Sequence, residues 1–558
     1  MSEKDSFFLE KSSFPGQEVK AVLVIFCVCL FIFFYKLGDR PLWEYDEAKH
    51  AQIAKEMLLR GDWVTPTFNG EPFYDKPALH FWLVMLSFLT FGVNEFSARF
   101  PSALLGMGGV FLVYAWARSV YGRVSGVLSC LVLATSIEYI ILSQNIVHDI
   151  SLCFFVTLSL FLFHRAYRQG GFSLTGWILF SASLGFAVLA KGPIGVVLPG
   201  LIIFSFLLIT RKWGLIFNRR TFGGILVFFM VALPWYLAMA MRNPDFIQSF
   251  LIQGNLSRFL SKHPNHQERF YFFLPVLLMG FFPWTTFIPS ALLHHIKQYR
   301  IGRSPDTLFL LLAAIVPFLF FSLSSTKLAT YVLPVFPPLA ILVGTFFSCG
   351  LNSVESGWKN HIKYSSAALA AGMTTGLVAG IIYVTQNYPE YISKASILMV
   401  LTLIGSGILC CYFGWKGRIF ASYATLVAMI FVILFCGSHY ILPQMSHFKS
   451  AKELSKTVKT LLPPGEPIVF YRDIRESLIF YTDLPGKKLK KKEQLESYLD
   501  SPQRIYCIMN VKNYEQFKEL LRDKMYLIDR EGYFLLISNK PPGNISRGLV
   551  PMKEIPCL

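Results

Sequence analysis

GDRPLWEYDEAKHAQIAKEMLLRGDWVTPTFNGEPFYDK, residues 38–76, follows the first apolar run of a chain that is otherwise mostly hydrophobic. Asp46-Glu47 stands near its start and Asp75-Lys76 at its end. A connection between two helices needs only a handful of residues, so a loop this long and this rich in carboxylates does more than connect. Aromatic residues flank it, and Glu47–Leu59 reads as an amphipathic stretch. The side of the membrane on which this loop lies fixes the topology of the rest of the chain. It is also the first place to look for a site built on the membrane surface.

The chain has 558 residues, of which 54% are hydrophobic and 16% aromatic. Apolar runs near the ~20 residues that span a bilayer recur along most of it, which excludes a soluble protein and predicts an α-helical polytopic membrane protein. The formal charge of +18 does not read as a nucleic-acid surface, because much of it sits in short connectors. These hold Arg118 and Arg123; Arg165 and Arg168; Arg211, Lys212, Arg219 and Arg220; Lys297, Arg300 and Arg303; and Lys416 and Arg418. Basic short loops lie on the cytoplasmic side. Cys27, Cys29, Cys130, Cys153, Cys410, Cys411 and Cys436 lie in apolar runs, where cysteine is a small hydrophobe, and only Cys507 and Cys557 fall in the polar tail. No small-residue cleavage site follows the first apolar run, so residues 1–18 read as a cytoplasmic tail and Val19–Leu37 as an uncleaved first span.

Apolar segments fall at 19–37, 77–92, 97–117, 124–143, 149–165, 174–190, 193–210, 221–240, 271–291, 306–323, 329–348, 365–385, 396–413 and 417–436. If all crossed, the early basic connectors could not share one side. The weakest is Pro77–Gly92, short and broken by Pro77 and His80, so it reads as a helix lying at the outer interface. About thirteen spans remain, and every basic connector then falls inside. Outside lie the 38–92 loop with its interfacial helices, the turn before Asp149, the Lys191-Gly192-Pro193 turn, the Met241–Phe270 loop and the Ser324–Tyr331 turn. The membrane domain is thus 19–440, and 441–558 is a small outward α/β domain. Its strand-like runs are 467–471, 477–482, 504–509 and 533–538, with helical stretches such as Tyr514–Arg522 between them.

Several ionisable residues converge on that outer face. Asp46 and Glu47 open a helix-like stretch just after the aromatic anchor WEY. Helix capping explains either acid alone; a catalytic role explains the pair beside the membrane edge. Lys76 suits a lipid phosphate, which lysine binds as a point charge, or it snorkels to head groups. Asp149 begins a span, where an ionisable residue is a functional candidate and capping again competes. The Met241–Phe270 loop carries Arg258, His263, His266 and Arg269. Such a cluster, opposite acids, suits a phosphate or a metal, though the spacing is not a closed zinc motif. Lys327 and Tyr331 form the last outward cluster, beside prolines that mark an irregular helix start. The lysine run 487–492 reads as a solvated face or as a receiver of an anionic lipid or polysaccharide.

The ordered motifs YDEAKHA, GDWVTPTFNGEPFYDKPALHFW, SARFPSALLG, the span-initial Asp149, LAKGPIG, HQERFYFFLPVLLMGFFPW and STKLATYVLPVFPPLA resemble the bacterial lipid-linked glycosyltransferases of the GT-C class. Over roughly residues 19–345 the resemblance is nearest to the aminoarabinose transferases that modify lipid A. Protein O-mannosyltransferases are more distant. The resemblance implies a polyprenyl-phosphate sugar donor and inverting transfer at the periplasmic face of a bacterial inner membrane. The acceptor it implies is lipid A, another envelope glycolipid, or protein hydroxyls. It assigns catalysis to Asp46, with Glu47 beside it, and to Asp149. It assigns the donor phosphate to Lys76, with Arg258 or Arg269, Lys327 and Tyr331. Asp75, where relatives usually carry glutamate, would pair with His266 around a divalent metal such as zinc, magnesium or manganese. A non-catalytic transporter of lipid-linked sugars is the rival, and it would place ionisable residues at the bilayer midplane on broken helices; no acid pair stands out there.

Overall fold

In the computed structural model of the protein, residues 15–216, 219–257, 268–352, 356–387, 394–518 and 524–541 are described. They divide into two compact units. One comprises residues 1–40 and 53–443; the other comprises Pro41–Gln52 with Gln444–Leu558.

The first unit is helical and membrane-embedded. Eight helices among the described residues are long and apolar enough to cross a bilayer, ten if each of two sharply bent pairs is one crossing. The helices Pro15–Cys29 with Leu30–Phe34, Ile194–Thr210 and Ser356–Asn387 occupy the places of three further expected spans. The chain is a multi-pass membrane protein. Helix Leu79–Phe91 has 13 residues, about 20 Å at 1.5 Å per residue, too short for a hydrocarbon core of about 30 Å. That length agrees with the expectation that this segment does not cross.

Two runs expected as continuous spans are broken. Residues 124–143 form Arg123–Ala134 and Ile137–Ser143, bent by 68°, and 271–291 falls within Phe273–Gly280 and Thr285–Gly302, bent by 115°. Ser136 is extended at the first break, and Pro283 at the second has no N–H to continue a helix. The two breaks satisfy each other: Ile137 N donates to Phe282 O at 3.2 Å, and Trp284 Nε1 donates to Thr135 Oγ1 at 3.0 Å. Irregular backbone at membrane depth needs such partners. Residues 329–348 begin as a 3₁₀ turn, Ala329–Val335, before helix Phe336–Asn352.

The first loop is ordered. Helix Asp46–Arg60 leads to a two-strand hairpin, β1 (Thr67–Phe68) and β2 (Glu71–Pro72). Asn69 and Gly70 turn it with φ of 55° and 80°, the positive pair that an Asn-Gly hairpin supplies. Glu56 fixes the turn by accepting from Thr67 Oγ1 at 2.7 Å, Asn69 N at 2.7 Å and Gly70 N at 3.2 Å.

The second unit carries a five-stranded mixed sheet of β3 (Ile468–Tyr471), β4 (Gly486–Leu489), β5 (Tyr506–Asn510), β6 (Tyr526–Glu531) and β7 (Phe534–Ser538), in the order β4-β3-β5-β7-β6. The pairs β3–β4 and β3–β5 are parallel; β5–β7 and β6–β7 are antiparallel. Val469, Leu489, Leu495, Cys507, Met509 and Ile537 belong to its core. The run 477–482, expected as a strand, is helix Glu476–Thr482, because a short run buried nearly all round gives no period to read. Strand β4 lies inside the lysine run, with Lys487 and Lys488 exposed, as suits a charged edge strand. Cys507 is a buried free thiol, and Cys557 lies outside the described residues. Pro41–Gln52, read from sequence as part of the membrane domain's loop, packs as part of this unit.

Candidate active site

Helix Leu174–Lys191 ends on Gly192, whose φ of 82° is the left-handed stop that favours glycine. The following helix returns at once across it: a Cβ on Gly195 would lie 2.4 Å from Ala187 O. This tight turn places Lys191 at a helix C-terminus, where a cation is favoured. Its ammonium pairs with the carboxylate of Asp149, the two side chains being 13% and 12% exposed. Asp149 makes no N-cap hydrogen bond for its own helix, which starts after Val147 with no side-chain cap; its carboxylate goes to Lys191 instead. Lys191 Nζ also stands 4.4 Å above the Tyr331 ring.

A cavity joins this pair to the end of the first loop. Asp75, Lys76, Lys191, Ser324, Thr326 and Tyr331 supply its polar lining, while Leu152, Ile194, Phe320 and Phe321 supply apolar wall. Lys76 pairs with the neighbouring Asp75 carboxylate, and its side chain is 21% exposed. Two ammonium groups held by aspartates beside aromatic and aliphatic walls suit an anionic head group on a hydrocarbon chain. Of the expected residues, Lys76, Asp75 and Tyr331 therefore line one cavity, and Asp149 stands at its edge through Lys191.

Lys327 is placed differently. It is buried, and its ammonium donates to Ser324 O at 2.6 Å and Glu268 O at 3.1 Å, which ties the chain before the 3₁₀ turn. Arg269 is exposed and donates to Tyr271 Oη at 2.7 Å. Arg258, His263 and His266 lie outside the described residues. Among the described residues no three histidine, cysteine or carboxylate side chains converge as a metal site, and Asp75 is engaged by Lys76. The cavity's ammonium groups are those of Lys76 and Lys191.

In the second unit, Asp46 and Glu47 open their helix in contrasting ways. Glu47 is buried, and its Oε2 accepts from Trp43 N at 2.9 Å, which ties the chain just ahead of the helix. Asp46 is exposed, and its carboxylate is free of such a duty.

Sequence reasoning passed over Lys191 and Glu138. The Lys-Gly-Pro order after an apolar helix was the available signal for the first. Glu138 lies in the broken span, 9% exposed, with no hydrogen-bond partner among the described residues for either carboxyl oxygen. Only glycine fits opposite it: a Cβ on Gly280 would lie 2.1 Å from Glu138 Oε2. A lone acid inside an apolar run is a functional candidate by default, and that signal was present in the sequence.

The family model described as dolichyl-phosphate-mannose-protein mannosyltransferase matches residues 75–237. The undecaprenyl phosphate-alpha-4-amino-4-deoxy-L-arabinose arabinosyl transferase of Pseudomonas paraeruginosa is 31% identical over 400 residues, covering 70% of this chain and 71% of the relative. That of Aeromonas hydrophila is 33% identical over 321 residues, covering 56% and 58%. Among solved structures, ArnT from Cupriavidus metallidurans bound to undecaprenyl phosphate superposes with a TM-score of 0.77 at 22% identity, covering 93% of this chain and 98% of that one. The oligosaccharyltransferase of Archaeoglobus fulgidus shares the fold more distantly, with a TM-score of 0.52 at 13% identity over 90% of this chain and 70% of that one. The chain belongs to the family of the undecaprenyl phosphate-alpha-4-amino-4-deoxy-L-arabinose arabinosyl transferases, membrane glycosyltransferases of the GT-C fold.

Proposed function

We propose that the protein transfers 4-amino-4-deoxy-L-arabinose from undecaprenyl phosphate to lipid A, with inversion, at the periplasmic face of the bacterial inner membrane. The observation that carries this reading is the cavity in which Lys76 and Lys191 face one polar space against apolar walls. In the reaction the bond between the sugar C1 and the donor phosphate oxygen breaks, and the electron pair stays on that oxygen. A phosphate oxygen of lipid A forms the new bond to C1 from the opposite side. Charge grows on the leaving phosphate, and the two ammonium groups stabilise it where water is scarce. An anionic acceptor needs no general base, so the role proposed for Asp46 is to favour cationic character at C1. The membrane side follows from the connector charges, with the basic connectors inside. The test is mass spectrometry of lipid A from cells with the gene, without it, and with Asp46→Asn. Lipid A should carry the aminoarabinose only with the wild-type gene, and modification by a folded Asp46→Asn protein would defeat the assignment.

A further inference from the structure

In the first unit, helices Ser356–Asn387 and Lys394–Trp415 leave an open, mostly apolar groove of about 590 Å³ between them. Ala370 lines it from the first helix; Ile408, Cys411, Tyr412 and Trp415 line it from the second, with Lys416 at the end. The four positions on the second helix follow the i, i+3, i+4, i+7 spacing and share one face. Ile408, Tyr412 and Trp415 are exposed. Small residues make the groove deep. A Cβ on Gly407 would lie 3.4 Å from Ala370 Cα, and one on Gly414 would lie 2.5 Å from Ser366 Oγ. The helices close up at these points, and the larger side chains of the same turns stand out as a rim.

Cations gather at one end of this groove. Lys363 lies two helical turns before Ala370, on the same face, and its ammonium is 3.7 Å from the centre of the Trp415 ring. Lys416 Nζ is 6.0 Å from the Tyr412 ring centre. The Lys359 stem packs on the following turn, its Cδ 3.5 Å from where a Cβ on Gly417 would be. Neither helix contains an aspartate or glutamate, nor does the turn 416–418. Among the described residues no ion pair engages Lys363 or Lys416. Other basic connectors differ: Arg118 pairs with Glu18, and Arg168 with Asp306. The positive-inside rule accounts for the charge of the turn, and snorkelling would carry a lysine to water. Neither accounts for an ammonium set over an indole ring at the mouth of an apolar groove.

We propose that this groove binds an anionic glycerophospholipid of the cytoplasmic leaflet, its phosphate between Lys363 and Lys416 and an acyl chain along Ala370, Ile408 and Cys411. Basic pockets between transmembrane helices on the cytoplasmic side take such head groups. Charge selects the occupant. A zwitterionic lipid would bring its own ammonium to two lysines, with no carboxylate beside them to receive it. Trp415 and Tyr412 set the depth, because amphipathic rings favour the head-group level. The groove has no part in the proposed transfer, so its test stands apart from the assignment of Asp46.

Delipidated full-length protein in detergent is titrated with phosphatidylglycerol or phosphatidylethanolamine of matched acyl chains, and bound lipid is counted by native mass spectrometry. The wild type should hold one phosphatidylglycerol about tenfold or more tightly than phosphatidylethanolamine, and Lys363→Gln/Lys416→Gln should bring the two within about twofold, as the loss of two lysines at an anionic head group requires. Cys411→Phe fills the groove and keeps every charge; it should lose the preference as fully as the double variant. Arg211→Gln/Lys212→Gln removes the same charge from another connector and should leave the preference intact. Equal retention of the two lipids by the wild type would overturn the site, as would an equal loss in the Arg211/Lys212 variant. A Cys411→Phe protein with undiminished preference would also overturn it, reducing the lysines to attraction for annular lipid only.

Discussion

Lys191→Met removes one charge and little volume from the cavity, and the pair it breaks allows the cost to be worked out. Asp149 would keep a carboxylate that is 12% exposed and has lost its ion-pair partner. Removing one member of a buried pair costs about 3–5 kcal/mol, mostly from stranding the other. Loss of the ammonium 4.4 Å above the Tyr331 ring adds about 0.5–2 kcal/mol. Neither aspartate nor lysine is fully enclosed, so the low end of the sum applies and a loss of about 3–4 kcal/mol is expected. The double variant Asp149→Asn/Lys191→Met strands nothing and should regain stability to within about 1–2 kcal/mol of the wild type. Transfer should not follow. If Lys191 stabilises the leaving phosphate, the double variant stays slower by about 10²–10³, the usual effect of removing one group aimed at developing charge. Thermal unfolding of the solubilised full chain reads the first quantity, and donor turnover reads the second. A double variant that recovers turnover together with stability would reduce Lys191 to a structural residue and refute the reasoning.

Three further outcomes follow from local geometry. Gly280→Ala would place its Cβ 2.1 Å from Glu138 Oε2 and 2.9 Å from Glu138 Cβ, costing about 1–3 kcal/mol by overpacking; adding Glu138→Ala removes the Oε2 clash and leaves the Cβ contact, so it should restore part of the melting temperature, and no recovery at all would refute the packing account. Gly532 has a φ of 54°, and a Cβ there would lie 2.3 Å from His447 O, so Gly532→Ala should destabilise the α/β unit by at least about 2 kcal/mol, and an unchanged melt would refute it. The Glu44 and Glu531 carboxyls are pushed up to about 8 and about 7, mainly by burial. A carboxyl raised in the folded state lends stability in full below its ordinary range and loses it as pH rises through the raised value. The melting temperature of the full chain should therefore fall between pH 5 and pH 9, more shallowly in Glu531→Gln, and a flat profile would contradict both shifts.

How much the sequence disclosed depended on the range of the interaction involved. Connector charges and run lengths are local, and they were enough to demote Pro77–Gly92 to a helix too short to cross. The YDEAKHA motif likewise marked a helix start that the structure retains. The breaks at Thr135-Ser136 and Phe282-Pro283 were less legible, because each is satisfied by the other across more than a hundred residues of chain; composition sees two ordinary apolar runs. The run 477–482 was misread for the opposite reason: burial on nearly every side erases the alternation that distinguishes a strand. Lys191 became visible only when two distant segments, the Gly192 turn and the Tyr331 turn, were brought to one wall. The division of the first loop, with Pro41–Gln52 joining the α/β unit, depends on single hydrogen bonds to Tyr481, Lys449 and Ser477, and no pattern within the loop announces them.

Both lysines of the cavity come with an aspartate attached, Lys76 with Asp75 and Lys191 with Asp149. Two bare ammonium groups beside apolar walls would be costly to desolvate; paired, they are held in place before any ligand arrives. On the proposed reading the pairing also tunes turnover. A sugar phosphodiester donor carries one negative charge, and the undecaprenyl phosphate left behind carries more. Lysines alone would bind that product more tightly than the donor and slow its release. The aspartates compete for the same ammonium groups and repel the additional charge, which weakens the product most. Contacts that strengthen while the C1–O bond breaks, and then meet a competing carboxylate, accelerate the chemical step without trapping what it produces.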